Sequence, residues 1–261
     1  MQRRHYFAAA LYARMYTETE GIVLRQTKTA GGRRMITVLT KRYGKISAGT
    51  SINEGGKNKS ALALRPFSYG RYDLFKNKDN YNINGAEALQ SFFSIGEDME
   101  RYMNASYVLE LTERLLPEEQ PSPAYFILLL DFLGEIEKRK KSFETLTIAF
   151  QLKMLSLAGC APLLKQCSRC GKESEEILFS VTDGGILCKS CVTETDSFNP
   201  MVFTIGKDMI QALSYMESRP LQSLEKLALN PELAAKARKI MKAYISHHLG
   251  IDNLKSEGLI I

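Results

Sequence analysis

Cys167-Ser168-Arg169-Cys170-Gly171 opens, and Cys188-Lys189-Ser190-Cys191 closes, the stretch whose reading decides the fold. Seventeen residues separate the two cysteine pairs. Thiolates at i and i+3 on a tight turn supply two corners of a tetrahedron, and a second pair supplies the other two, the arrangement Zn²⁺ requires. The spacing lies in the zinc-ribbon range. Gly171 supplies a residue that can take φ > 0 where the first turn closes. Ile177 to Val181 and Ile186-Leu187 read as strands around Thr182-Asp183-Gly184-Gly185, so a hairpin brings the pairs together. The expectation is one structural Zn²⁺ on Cys167, Cys170, Cys188 and Cys191, with no open position for a substrate. Disulfides or a redox C-x-x-C are the other readings of these cysteines.

A chain of 261 residues makes one large domain or two smaller ones, and a hydrophobic content of 44% is ample for real cores. The longest apolar run, Ala124 to Leu130, is cut by Asp131 and falls far short of the roughly 20 residues of a membrane span. No membrane partner is expected. Cysteines spent on metal fit a reducing compartment, so a cytoplasmic protein is expected. Cys160 is left over in an apolar stretch and reads as a buried bystander. Residues 1–16 carry Arg3, Arg4 and Arg14 and no acid, and Phe7 to Tyr12 is too short for a secretory core. We read them as a disordered or loosely helical extension, with Met15 as an alternative start.

Charge is unevenly spread. Residues 17–82 hold 13 Lys/Arg against Glu18, Glu20, Glu54, Asp73 and Asp79, a net +8, while the whole chain is only +6. The extension adds +3, so residues 83–261 carry −5. A basic N-terminal module on a mildly acidic remainder suggests a polyanion partner.

The basic segment has the texture of short strands. Glu20 to Arg25, Arg34 to Thr40, Ile46 to Gly49, Leu64 to Ser68, Tyr69 to Lys76 and Tyr81 to Ile83 are β-rich runs between turns at Lys41 to Lys45 and Asn77 to Asn80. About five strands in so short a span fit a small closed barrel of the OB type. Such barrels bind single strands with a positive groove and stacking aromatics. Arg33, Arg34, Lys41, Arg42, Lys45, Lys57, Lys59 and Arg71 form the expected phosphate-contacting set, with Tyr43 as the stacking candidate. Ser51 to Ala61 lacks an apolar pattern and reads as a mobile basic loop.

From Gly85 the texture turns helical, with Leu89, Phe92, Met99, Tyr102, Ser106 and Leu109 at helical spacing. Pro117 to Pro123 breaks it. Ser122-Pro123 opens a helix toward Lys141, and Ser142 opens another that ends at Gly159 and Pro162. Gly206 to Ser218 and a last helix capped by Asn230-Pro231 and stopped by Gly250 follow the ribbon. The fold class expected is α+β multidomain. It comprises an extension (1–16), an OB-fold barrel (17–84) and an α-helical domain (85–261) containing the four-cysteine zinc ribbon at 167–191. His247-His248 near a helix C-terminus reads as a dipole partner.

In this order of parts the chain resembles the RecO family of bacterial recombination mediators over residues 17–256. The resemblance rests on Glu20-Gly21-Ile22-Val23-Leu24, on Leu39-Thr40 through Gly44-Lys45, and on Lys59-Ser60 with Leu64-Arg65-Pro66-Phe67. Phe150 to Leu155, Gly159, Pro162-Leu163 and the first cysteine pair continue it, and Tyr244, His248-Leu249 and Lys255-Ser256 close it. Two stretches depart from the family pattern. Gly31-Gly32-Arg33-Arg34-Met35 replaces a short acidic element, and the loop after Gly49 keeps only Lys57, Lys59 and Ser60 of a small, basic run. Not every member keeps the cysteines, which fits a structural metal.

The resemblance implies binding of single- and double-stranded DNA, annealing of complementary strands, and action with RecR. It also implies contact with the acidic C-terminal tail of the single-strand-binding protein SSB and help in loading RecA in repair. No bond-making chemistry is implied, and the sequence shows no phosphate-binding glycine loop, nucleophile elbow or Mg²⁺-type carboxylate cluster. A zinc-ribbon OB-fold RNA-binding or transcription-associated factor is the alternative; a nuclease would need an acidic metal site. For the SSB tail, Phe126 and Leu130 lining a pocket rimmed by Lys138, Arg139, Lys140 and Lys141 are the expected contacts. The bland alternative is that these cations complement the helix dipole.

Overall fold

The long first strand organises the N-terminal part of the computed structural model, which describes residues 16–52, 59–78, 80–173 and 177–259. β1 (Tyr16–Lys28) pairs antiparallel with β4 (Ser68–Asn77) through its first half and with β2 (Arg34–Thr40) through its second. It can serve two neighbours because it coils at Gly21, where a Cβ would press on Val38, and bulges between Val23 and Arg25. β3 (Gly44–Thr50) runs antiparallel to β2 and parallel to β5 (Asn80–Ser91), and β5 returns along β4. The order β1-β2-β3-β5-β4 closes a five-stranded barrel. Its interior holds Val23, Ile36, Val38, Ile46, Leu64, Tyr72, Leu74 and Ile83.

Three expectations change. Lys59–Ala63 is a short helix, α1, inserted between β3 and β4. The expected strand at Leu64 to Ser68 is instead a turn over residues 64–67, with Phe67 at φ 65°, and only Ser68 is strand, as the start of β4. The Tyr72 hydroxyl donates to the Ala63 carbonyl at 2.6 Å and Ser68 Oγ to Leu62 at 2.8 Å, so α1 is pinned by the barrel. β5 continues to Ser91, past the boundary expected at 84. Ala86-Glu87-Ala88-Leu89 are good helix formers, but pairing with β4 from Ser68↔Ser91 to Asn77↔Asn80 overrides that propensity. Residues 1–15 of the expected extension and loop residues 53–58, including Lys57, lie outside the described residues, and Tyr16 already belongs to β1.

Helix α2 (Met99–Leu115) starts where Asp98 accepts from the Arg101 amide at 2.8 Å. α3 (Pro123–Lys138) has Pro at its first position, and α4 (Phe143–Leu157) follows. The ribbon strands β6 (Ile177–Ser180), β7 (Gly185–Cys188) and β8 (Val202–Thr204) form a sheet of order β7-β6-β8. α5 (Lys207–Ser218) and α6 (Pro231–Leu249) complete the chain, with Asn230 capping α6 and Gly250 ending it at φ 64°. The helices after the ribbon stand where the capping residues put them.

Contacts divide the chain into two units, one of residues up to 102 with 109–133, the other of 103–108 with 134 onward. In the first, the end of α2 and the following turn are tied to the barrel. Arg25 pairs with Glu113 at 2.8 Å, Lys45 Nζ donates to the Glu113 carbonyl at 2.6 Å, and Phe126 packs edge-on to Tyr69. In the second, α4 is central, burying eleven of its residues. Its polar members are satisfied: Thr147 donates to Asn104 at 2.9 Å and Gln151 to the Tyr107 hydroxyl at 2.7 Å. α6 holds the ribbon turn, with His248 Nε2 donating to the Val181 carbonyl at 2.7 Å and Tyr244 packed on Phe179. No helix among the described residues is long and apolar enough to cross a membrane.

Candidate metal centre and nucleic-acid interface

The two cysteine turns form for local reasons. The Gly171 amide donates to the Cys167 carbonyl at 2.8 Å with Gly171 at φ 72°, the conformation a side chain would strain. The hairpin register sets Cys188 opposite Ile177, and the Ser168 amide reaches across to the Ile186 carbonyl at 2.8 Å. Gly185 is forced small because a Cβ there would meet the Leu163 backbone. The result brings the sulfurs of Cys167, Cys170, Cys188 and Cys191 within 4.8 Å of one another, with Cys170 and Cys188 at 3.7 Å. Tetrahedral coordination at about 2.3 Å per bond demands sulfur separations of about 3.8 Å. A disulfide needs about 2.05 Å, and all five cysteines are free thiols. The donor set fits one metal ion.

Electrostatics point the same way. Burial resists ionisation of Cys167, but backbone donors from Cys188, Cys170 and Arg169 win and pull it down to about 6. Cys191 is pushed up to about 12 by hydrogen bonding to Cys170 and Cys188. One thiolate forms easily, and the last forms only against a compensating cation.

Arg169 has a role that sequence reasoning missed. Its guanidinium forks onto Asp183 at 2.8 and 2.9 Å and onto Asp196 at 2.8 and 2.9 Å, and donates to the Cys191 carbonyl at 2.8 Å. It therefore ties the first cysteine turn to the hairpin turn and to the segment after the second pair. Bidentate guanidinium–carboxylate pairs are among the stronger polar contacts. The available signal was an arginine between two ligands with aspartates in the hairpin turn and just beyond the last cysteine.

On the barrel the expected phosphate contacts separate into three groups. Arg33, Lys41 and Arg42 are exposed. Lys41 pairs with Glu20 at 3.2 Å yet keeps its side chain 62% exposed, and Arg42 lies over the Tyr43 ring at 5.4 Å. Arg71 is shared between Glu18 at 3.4 Å and Glu87 at 3.5 Å, which offsets its charge. Arg34 and Lys45 are corrections. Arg34 is only 7% exposed and donates to the Ile52 carbonyl. Lys45, 11% exposed, is spent on Glu113 and Glu118. Tyr43 is half-buried, bonds Thr17, leans on Tyr81 and packs against the barrel core. Lys59 stands at the start of α1.

A groove of about 620 Å³ opens beside Arg33. It is lined by Lys28 at the end of β1, by Gly32 and Arg33 of the β1–β2 turn, by the largely buried Arg34 at the start of β2, by Gly49, and by Asn82 and Asn84 of β5. Lys28, Gly49 and both asparagines carry no signal in their own neighbourhoods; only barrel closure gathers them. Arg33 and Lys41 flank β2, so by strand rise they stand about 26 Å apart along it.

The expected tail pocket is corrected. Phe126 is 3% exposed and packed on Tyr69; Leu130 is half-buried. Arg139 is 8% exposed and donates to the carbonyls of Ser142 at 3.0 Å, Leu227 at 3.4 Å and Leu224. It closes a loop, and burial lowers its affinity for its proton. Lys138, Lys140 and Lys141 are exposed and line a second groove of about 620 Å³ with Lys226, Glu135 and Glu225.

Comparison with known proteins adds to this geometry. The family model described as "Recombination protein O N terminal" matches residues 15–92, and "Recombination protein O C terminal" matches 96–258. The chain is 34% identical over 246 residues to a DNA repair protein RecO of Alkaliphilus metalliredigens, covering 93% of this chain and 97% of that one. It is 31% identical over 244 residues to a DNA repair protein RecO of Pelotomaculum thermopropionicum, covering 93% of each. A third, from Halalkalibacterium halodurans, is 29% identical over 246 residues, covering 94% of each.

Proposed function

Since the chain belongs to the recombination protein O family, we propose that it is a DNA-binding mediator in DNA repair. It holds single- and double-stranded DNA on its barrel, anneals complementary strands, and with RecR helps load RecA onto SSB-coated single strands. It performs no bond-making chemistry and works in the cytoplasm, at the nucleoid. The observation that carries the DNA reading is the cation-bearing groove at the β1–β2 turn of an OB-ordered barrel, the loop such barrels use for oligonucleotides. The four cysteines hold one Zn²⁺, the metal whose all-thiolate sites are closed and structural; bound there it supplies cross-linking and no reaction step. For the acidic SSB tail, the groove bearing Lys138, Lys140, Lys141 and Lys226 offers the charge.

Two measurements test this reading. Annealing of complementary strands coated with SSB should accelerate when the protein is added; no acceleration overturns the mediator assignment. Binding to labelled single strands should be largely sequence-independent and fall steeply with salt, because released counterions drive it. Replacing Arg33, Lys41 and Arg42 together by Ala should weaken binding by about 1–3 kcal/mol. Tighter binding to RNA than to DNA would favour an RNA-binding factor instead.

A further inference from the structure

Arg33 does not hang free in the groove. The β1–β2 turn that carries it is closed by the Gly32 amide on the Thr29 carbonyl at 2.9 Å and by the Thr29 amide on the Arg33 carbonyl at 2.8 Å. Thr29 Oγ1 adds a third bond to the Arg33 carbonyl at 3.1 Å. At the far end of the side chain, Arg33 Nη2 donates to Asn82 Oδ1. Between these anchors the guanidinium lies against Gly49. A Cβ built on Gly49 would fall 2.5 Å from Nη2, 2.6 Å from Nε and 2.7 Å from Cζ. Gly49 belongs to β3 and has ordinary strand backbone, so no turn demands a glycine there. The space over it is what the arginine uses.

We propose that Gly49 and Asn82 are positioning residues that hold the Arg33 guanidinium as a preset phosphate contact in this groove. This rests on the reading of the groove as a DNA site. A long side chain fixed at both ends has already lost much of its rotamer freedom, so less is lost when a phosphate arrives. The Asn82 amide oxygen occupies part of the fork, and the remaining donors are available for an anion. Gly49 comes from β3, Asn82 from β5 and Arg33 from the β1–β2 turn, and the parallel rung Gly49↔Asn82 keeps the two holders side by side. The site exists only when the barrel is closed.

The test is a mutant cycle on the full-length protein, read by anisotropy of a labelled single strand across a salt series. Arg33→Ala should weaken binding about tenfold and lower the salt slope by about one, as expected for one phosphate contact. Gly49→Ala keeps a strand-compatible backbone, and the nearest atoms its Cβ meets are the flexible end of Arg33. It should leave the melting temperature intact and reproduce both effects. The double variant should bind no more weakly than Arg33→Ala alone, because both changes remove one contact. Asn82→Ala serves as an independent variant should Gly49→Ala lower the melting temperature, and should also lose affinity only when Arg33 is present. If Arg33→Ala weakens binding while Gly49→Ala and Asn82→Ala bind like the unsubstituted protein, the positioning proposal is overturned. If Arg33→Ala itself binds unchanged, the DNA reading of the groove fails and the proposal goes with it.

Discussion

Arg169 concentrates in one side chain what the ribbon needs besides metal. It sits between Cys167 and Cys170, yet every partner it holds lies beyond the first cysteine turn. It keeps Asp196 and Asp183 below the ordinary aspartate value of 3.8. A lowered native value means the clamp contributes fully above the unfolded-state value, and loses that contribution only as pH falls through the native one. The clamp is therefore charged throughout the neutral range. Arg169→Ala should speed transfer of the bound metal to a colorimetric chelator by about 10–100-fold, the usual cost of losing an outer-shell partner, while the helical circular dichroism is kept. Lysine cannot reproduce a double fork, so Arg169→Lys should fall near the alanine variant. Unchanged release in both would show that the thiolates alone set the site. The cysteines themselves were legible because spacing is a local property. The clamp was not, because Asp196 reaches Arg169 only after the chain has folded back through the hairpin.

At the level of elements, β3 shows how a basic residue can be misread. Lys45 follows a turn rich in charge, and from sequence it belongs with Lys41 and Arg42. Its nitrogen instead reaches the Glu113 carbonyl, 68 residues away, and Glu118 at 3.4 Å, fastening the start of β3 to the end of α2 and the turn beyond. The preceding Gly44 has φ 70° and sits so close to the Gln120 backbone that a Cβ has no room. Lys45→Met keeps the aliphatic stem and removes the charge-assisted bond. It should cost about 1.5–3 kcal/mol in urea unfolding and leave DNA affinity and salt slope unchanged. A clear loss of DNA affinity without destabilisation would return Lys45 to the phosphate-contacting set. The same non-locality explains the other misreadings. β5 is a strand because β4 pairs with it, whatever its own propensity, and α1 is fixed by Tyr72 and Ser68 from the next strand. Caps such as Asp98 and Asn230 need only their own helices; Asn230 was read from sequence, whereas the helix Asp98 caps was expected to begin earlier, from Gly85.

Across the whole molecule, charge and metal fall in different places. The surplus of positive charge lies in residues 17–82, whereas all four metal-site cysteines lie in the unit that begins again at 134. That unit draws its helical core from α4; beside the sulfurs the ribbon buries the small cluster of Cys167, Leu187 and Cys188, and Phe179, Val181 and Ile186 are buried along its hairpin. Three strands of three or four residues have little sheet of their own to offset their chain entropy, so a metal on the four cysteines should supply part of the ribbon's stability. Stripping the metal with a chelator, or replacing Cys170 by Ser, should therefore lower the unfolding temperature and expose the ribbon to proteolysis near 167–191. Single-strand binding measured well below that temperature should keep its affinity and its salt slope if, as proposed, the phosphate contacts are in the barrel. Loss of binding in parallel with metal would place DNA contacts in the ribbon. Retention of full stability after metal loss would instead show that the Arg169 clamp and the packing of α6 on the ribbon turn are sufficient by themselves.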